Sequence, residues 1–393
     1  MHQKRSGKSV SQVKILHLLS YKKISPFPYN KIRPLSLFEN LVTGFDEQVF
    51  SQMICFLSGD RKQSSLEKWG YPVINLGIPK NKLKKFRPSV VFKIAEIIKK
   101  HDVDIVHCQR HKPTVYGTLA AWVADKKVKV LTTVHGRNRT RTLSRKITNY
   151  VLFKRISRII SVSNAVRDDI LKTNWNLSPD KVVTVYNGID TDKFSDSIST
   201  RQEARTHLGL AIKDAFVFGT VGRLKKVKGQ AVLFRAFARV CRKYPDSWLV
   251  LAGEGPLETE LRSLAMELDI HKRVVFLGFR RDIPEVLHAY DVFVLPSISE
   301  GFGLALVEAM ATGIPVIASR VGGVPEILNH RYSELLVAPS SLKELTLAME
   351  RLRVMSHEKR NELGKALRNR VASEFTKEKM TSAMAKEYIA VMN

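Results

Sequence analysis

The run Ser299-Glu300-Gly301-Phe302-Gly303-Leu304-Ala305-Leu306-Val307-Glu308 sets two carboxylates eight positions apart with two glycines between them. Gly301 and Gly303 let backbone approach a ligand closely. Their amides, Phe302 between them and a helix opening at Leu304 form a concavity for an anion such as phosphate, while Glu308 can accept hydrogen bonds from sugar hydroxyls. The plainer alternative makes Glu300 a cap and Glu308 a surface helix residue. A second cluster, Gly222-Arg223-Leu224-Lys225-Lys226-Val227-Lys228-Gly229, follows an apolar run directly. Arg223 offers a planar fork and Lys228 a point charge, so the pair can clamp a diphosphate and stabilise the charge that grows as it departs. A basic surface turn is the competing reading.

Weaker signals occupy comparable positions. Gly253-Glu254-Gly255-Pro256 and Gly278-Phe279-Arg280 each follow a predicted strand and could meet a nucleotide through backbone groups. Thr132-Thr133-Val134-His135-Gly136-Arg137 ends a strand with a histidine, and Asn187-Gly188-Ile189-Asp190 reads as a turn. His135 is a site candidate because of its strand-end position.

The elements that must position these residues alternate. Apolar runs predict strands at 13–19, 49–56, 73–76, 104–108, 129–134, 158–162 and 182–186, with amphipathic helices at 34–42, 90–101, 113–124, 142–154 and 164–172. After a polar pause at Asp190–Thr200 the alternation restarts, with strands at 216–221, 247–252, 274–277, 292–295, 315–318 and 333–337. Helices are predicted at 230–244, 257–269, 283–288, 304–312 and 342–353, and two more close the chain at 357–373 and 377–391. The pattern is α/β, two doubly wound Rossmann-like domains in tandem, with a boundary near residues 195 and 196. Ligands of such sheets lie outside the carboxyl ends of the strands, so the loops above should line one cleft between the domains.

Composition bounds the function. At 393 residues, 44% hydrophobic and 26% charged, the chain is neither disordered nor a small stapled module. Three cysteines at wide spacing, Cys55, Cys108 and Cys241, make neither a disulfide framework nor a zinc site and suit a reducing, cytoplasmic compartment. No run approaches the length of a membrane helix, and Val13–Leu19 reads as a buried strand, not a secretory segment. The net charge of +28 is unevenly shared, +21 on residues 1–200 and +7 on the rest. It concentrates in 80–100 and 137–158, the latter with Arg137, Arg139, Arg141, Arg145, Lys146, Lys154, Arg155 and Arg158 and no acid. Such a surface attracts anionic lipid, phosphorylated glycan or nucleic acid, or serves only solubility. Nucleic acid is disfavoured, since only Tyr150 and Phe153 interleave aromatics among these cations.

Taken together the motifs resemble the family 4 glycosyltransferases of GT-B fold. The residues that carry the likeness are the Glu300-to-Glu308 run, Gly222-Arg223 with Lys228-Gly229, Val162-Ser163, Asn187-Gly188-Ile189-Asp190, Gly253-Glu254-Gly255-Pro256, Pro296-Ser297, and Gly313 to Ala318 with Gly322 to Glu326. The resemblance implies retaining transfer of a sugar from a nucleotide diphosphate donor, with no metal or other cofactor. It implies that Arg223 and Lys228 hold the diphosphate, that Glu300 with the amides of Phe302 and Gly303 holds the donor sugar, and that Glu308 binds the ribose. By the same likeness Arg280 lies by the base, with Gly222, Glu254, Gly301 and Leu304 also lining the donor site, and His135 lies near the sugar and the acceptor. It implies further that residues 375–393 form a helix returning to the first domain, residues 196–374 being the nucleotide-sugar domain and 1–195 the acceptor domain. One departure stands out: the loop after the first strand, residues 19–30, has no glycine where family members commonly carry two.

The expected function is therefore elongation of an anionic, lipid-linked glycan, such as lipopolysaccharide core or another surface polysaccharide. The enzyme would be cytoplasmic and peripherally docked on the inner membrane face through Arg137, Arg141, Arg145 and Arg155. A soluble glycan synthase, a nucleotide-sugar epimerase and a non-catalytic basic binding protein are the alternatives.

Overall fold

Strands that are buried on both faces are dominated by apolar residues, and the runs read above follow this, with a few buried polar side chains such as His17, Gln52 and His107 set among them. The computed structural model describes residues 12–20, 33–58, 70–79, 81–137, 142–195, 200–210, 212 and 215–393. The chain divides into two compact units, one of Met1–Val162, Arg167–Val185 and Met380–Asn393, the other of Ser163–Val166 and Tyr186–Lys379.

In the first unit the elements run β1 (Val13–Leu19), α1 (Arg33–Val42), β2 (Phe50–Phe56), β3 (Val73–Asn75), α2 (Pro88–Lys100), β4 (Ile105–Gln109), α3 (His111–Ala124), β5 (Lys129–Val134), α4 (Leu143–Arg155), β6 (Arg158–Ser161), α5 (Asn164–Thr173) and β7 (Val182–Thr184). All seven strands pair in parallel in the order β3-β2-β1-β4-β5-β6-β7. Phe38, Leu41, Met380 and Met384 pack on Ile15, Ile54, Ile105 and Leu131, so α1 and the C-terminal helix share one face of the sheet.

The second unit adds α6 (Asp192–Ser195), α7 (Arg201–His207), β8 (Phe216–Val221), α8 (Gln230–Lys243), β9 (Ser247–Ala252), α9 (Glu258–Glu267), β10 (Val274–Phe276), α10 (Ile283–His288), β11 (Val292–Leu295), α11 (Leu304–Ala311), β12 (Val316–Ser319), α12 (Val324–Leu328), β13 (Leu336–Val337), α13 (Leu342–Val354) and α14 (His357–Glu374), and the last helix, α15 (Lys377–Met392), belongs from Met380 onward to the first unit. Its six parallel strands run β10-β9-β8-β11-β12-β13. Phe234 and Phe237 of α8 with Leu345 and Met349 of α13 pack over Phe218, Leu249 and Val294.

Asp190–Ser195 groups with the second unit. Ile189 donates its N–H to the Phe375 carbonyl at 2.9 Å and accepts from Lys377 at 2.8 Å, which ties that strand of chain to the end of α14. Thr200 then opens α7 with a capping box closed by Glu203. The four residues Ser163–Val166 belong to the second unit for a similar reason. The Glu326 carboxylate accepts the N–H groups of Asn164 (2.7 Å) and Ala165 (2.8 Å) and the Tyr186 hydroxyl (2.9 Å). Burial, joined by the Glu326 hydrogen bond and charge, pushes the Tyr186 phenol up, so it remains a donor. A strand expected over 333–337 is only Leu336–Val337, because a 3-10 turn over His330–Leu335 uses the preceding backbone.

Candidate active site

Where strand order reverses, two neighbouring strand-to-helix loops part in opposite directions and leave a crevice at their carboxyl ends. In the second unit this point lies between β8 and β11. The loop after β8 carries Gly222 to Gly229, and the loop after β11 carries Pro296 to Gly303. The two clusters singled out in the sequence are thus neighbours by topology.

Their side chains meet. Lys228 Nζ lies 2.5 Å from Glu300 Oε1, which also accepts from Ser297 Oγ at 2.7 Å. Both partners are largely withdrawn from solvent, at 29% and 12% side-chain exposure, so the pair interacts in a medium less screening than bulk water. Backbone bonds staple the surrounding loops into one wall: Gly222 N–H to Ala252 (2.9 Å), Leu224 N–H to Glu254 (3.0 Å), Gly253 N–H to Gly278 (2.7 Å) and Ile298 N–H to Val227 (2.9 Å). Two glycines permit this closeness. A Cβ on Gly229 (φ +67°) would stand 1.9 Å from the Pro296 carbonyl oxygen, and one on Gly253 (φ +139°) 1.9 Å from that of Gly222.

The remaining candidates of this unit take varied places. Arg223 is exposed, and its carbonyl accepts from the buried Gln230 amide at 2.9 Å. Glu254 is exposed, and Arg280 makes a two-pronged pair with Asp282. Phe302 is buried against Tyr186 and Phe375, which anchors the Gly301–Gly303 backbone, and Ser163 Oγ donates to the Gly301 carbonyl at 2.7 Å. Leu304 opens α11, whose first N–H groups have no intrahelical acceptor. Glu308 is 6% exposed, which removes the solvated surface role.

In the first unit His135 Nε2 lies 2.8 Å from Gln109 Oε1 at the end of β4. Gln109 in turn reaches His107 Nε2 at 3.3 Å, and His107 is held by Thr133 Oγ1 (2.7 Å) and, through Nδ1, by the Tyr388 hydroxyl of α15 (2.6 Å). This chain of buried polar groups was not foreseen from the sequence; its only signal was histidine and glutamine inside otherwise apolar strands. His17 joins the same core and pairs with Gln52 at 3.0 Å. Burial outweighs that hydrogen bond and lowers the His17 pKa to about 4, and burial followed by the charges of His17 and His135 holds His107 well below the usual range.

The linkage has a definite sign. The unfolded chain protonates His17 near the ordinary value of 6.5 and the folded chain only near 4, so the unfolded state binds more protons between those values. Stability is expected to fall as pH drops through that window, by on the order of 3 kcal/mol from His17 alone. Urea midpoints across the window test it, and a flat profile would contradict a buried neutral histidine.

Of the basic residues, Arg137 and Arg145 are exposed. Arg155 is spent on the fold: it donates to the carbonyls of Asp125 (3.4 Å), Lys126 (3.0 Å) and Val128 (2.7 Å). Arg141 and residues 21–30 of the glycine-free loop lie outside the described residues. No helix among the described residues is long and apolar enough to cross a membrane, and no three metal-ligating side chains converge among them.

Comparison with known proteins agrees with this picture. Residues 203–370 match the family model described as glycosyl transferases group 1, and residues 38–193 that described as glycosyltransferase family 4. The Escherichia coli UDP-Gal:alpha-D-GlcNAc-diphosphoundecaprenol alpha-1,3-galactosyltransferase is 29% identical across 96% of this chain and 97% of its own. The N-acetyl-alpha-D-glucosaminyl L-malate synthase of Bacillus anthracis is also 29% identical, over 77% of this chain and 79% of its own. Among solved structures, Anabaena Alr3699/HepE in complex with UDP and glucose has a TM-score of 0.82 at 23% identity, with 96% of this chain and all of that one covered. Two family matches that together take in most of the chain, laid on two doubly wound parallel sheets, leave one conclusion: the protein is a glycosyltransferase of group 1, with the GT-B fold.

Proposed function

We propose that the enzyme moves a sugar, with retention and without a metal ion, from a nucleotide diphosphate sugar to a lipid-linked, phosphate-bearing glycan at the inner face of the cytoplasmic membrane. Lipopolysaccharide core or another cell-surface polysaccharide is the product class. The observation that carries the donor half is the Lys228–Glu300 pair, set at the carboxyl edge of the second sheet beside Arg223. The acceptor half draws on the +21 charge of residues 1–200 and on the likeness to an enzyme whose name specifies a diphosphoundecaprenol-linked acceptor. Each exposed cation near an anionic leaflet contributes on the order of 1 kcal/mol.

In the reaction the bond between the sugar C1 and the diphosphate oxygen breaks as the acceptor oxygen bonds to C1 from the same face. The acceptor proton passes to the departing diphosphate. Lys228 and Arg223 stabilise the charge gathering on that leaving group, while Glu300 and the amides of Phe302 and Gly303 orient the sugar. The Glu308 carboxylate engages the ribose, and Arg280 flanks the base. A small soluble acceptor is the second reading, favoured by the likeness to the N-acetyl-alpha-D-glucosaminyl L-malate synthase.

Calorimetry with uridine, guanosine and adenosine diphosphates and their sugars tests the donor site. One nucleotide class is expected to bind saturably, and Glu308→Gln, which conserves volume at this buried position, should weaken it about tenfold or more. Binding of no nucleotide by the wild-type chain would refute the assignment.

A further inference from the structure

Helix α3 turns its small residues inward. Gly117 lies so close to Cys108 that an added Cβ would stand 2.4 Å from its sulfur, and Ala120 and Ala121 are fully buried. Tyr116 is buried with them, but the large residues at the end of the helix are left outside: Trp122 is 50% exposed and Val123 46%. The neighbouring helix α2 buries Val90, Val91, Ile94 and Ile98 yet leaves Phe92 61% exposed, and Phe86 just before it is 55% exposed. Phe86, Phe92, Leu119, Trp122 and Val123 line a groove of about 390 Å³ between the two helices. Helix α4, which packs beside α3, adds exposed Leu143, Ile147 and Val151. Scattered exposed apolar residues are ordinary, but a groove lined by three aromatics between two packed helices marks an interaction surface.

The charge around it selects the partner. Residues 82–155, which span these helices, hold 19 Lys and Arg against four acids. Lys85, Arg87 and Lys93 are exposed beside the groove residues, and Lys126 and Lys127 follow Trp122 closely. A second copy of the chain would bring the same excess of positive charge and be repelled. An apolar strip rimmed by cations matches an anionic leaflet, whose headgroups meet the cations while indole and phenyl rings enter the boundary with the acyl chains. We propose that the outer face of α2 and α3 is where this enzyme inserts into an anionic phospholipid monolayer, with Phe92 and Trp122 as the inserting side chains. The inference rests on the membrane-bound acceptor proposed above and specifies the surface that reaches it.

The test uses the full chain and vesicles of phosphatidylcholine, alone or enriched in phosphatidylglycerol. The wild type is expected to sediment with the enriched vesicles, and lipids brominated in the acyl chain should quench its fluorescence, an effect lost in Trp122→Phe. The double variant Phe92→Ser/Trp122→Ser should partition at least tenfold less, on the scale expected for withholding large apolar side chains from lipid, with nucleotide-sugar turnover in solution unchanged. Wild-type-like vesicle binding by the double variant, or no Trp122-dependent quenching in the bound wild type, would overturn the groove assignment and leave membrane docking standing through another face. No vesicle binding by the wild type would overturn both. A concentration-dependent dimer abolished by the double variant would overturn it in favour of a contact between copies.

Discussion

Lys228→Ala is expected to lower kcat for sugar release from the donor by about 10²- to 10³-fold, the range found when one preorganised donor to a developing anion is removed. The negative charge on the diphosphate is smaller in the bound donor than in the transition state, so kcat should fall more than nucleotide-sugar affinity does. The geometry adds a second effect. Glu300 Oε1 accepts from Lys228 and Ser297, and without the ammonium the carboxylate faces the diphosphate with less compensation. Lys228→Arg should recover part of the rate, because the charge returns while the position of the nitrogens changes. Lys228 is 29% exposed, so little unfolding is expected from losing the pair, and the melting temperature serves as the control. Near-wild-type release of nucleotide diphosphate by the Lys228→Ala enzyme would remove this residue from the mechanism and with it the diphosphate clamp.

The largest effect on stability is expected at Asp291→Ala, about 3–5 kcal/mol. Asp291 is buried at the start of β11 and accepts from Arg205 (2.7 Å), Arg201 (3.2 Å) and the Val217 N–H (2.8 Å). Arg205 is itself buried, with further bonds to the carbonyls of Ala289 (3.1 Å) and Ala215 (2.9 Å). Cutting back the carboxylate leaves a buried guanidinium without its counter-charge and a strand N–H without an acceptor, and neither can be rehydrated cheaply. The double variant Arg205→Met/Asp291→Leu should be less destabilised than the single one, because it removes both charges. Urea unfolding of the full chain gives the comparison. A loss under about 1 kcal/mol for Asp291→Ala would show that water reaches the pair.

The reading from sequence was most secure where burial alone decides. The bounds of β1, β5, β8, β9 and β11 are those of their predominantly apolar runs, since a strand covered on both faces is built mainly of apolar residues. The loops bearing Lys228 and Glu300 were legible for the same reason: once the strands are known, so are the residues at their ends. Helices α6 and α7 were missed within and just after a stretch dominated by Asp, Ser and Thr, although the Thr200 to Glu203 spacing of a capping box was there to be seen.

What only the tertiary structure decided is which polar group meets which, and which large apolar residues stay outside. Lys228 and Glu300 are 72 positions apart, Arg205 and Asp291 86, and His107 and Tyr388 281. Trp122 and Phe92 carry the apolar signal of core residues yet face outward, because Gly117, Ala120 and Ala121 take the inner face of α3 and Val90, Val91, Ile94 and Ile98 that of α2. The physical reason is common to both. Hydrophobic periodicity is a local property, read within one turn or one strand, whereas a hydrogen bond's partner and a helix's choice of inner face depend on strand order and close packing, which involve residues far apart in the chain.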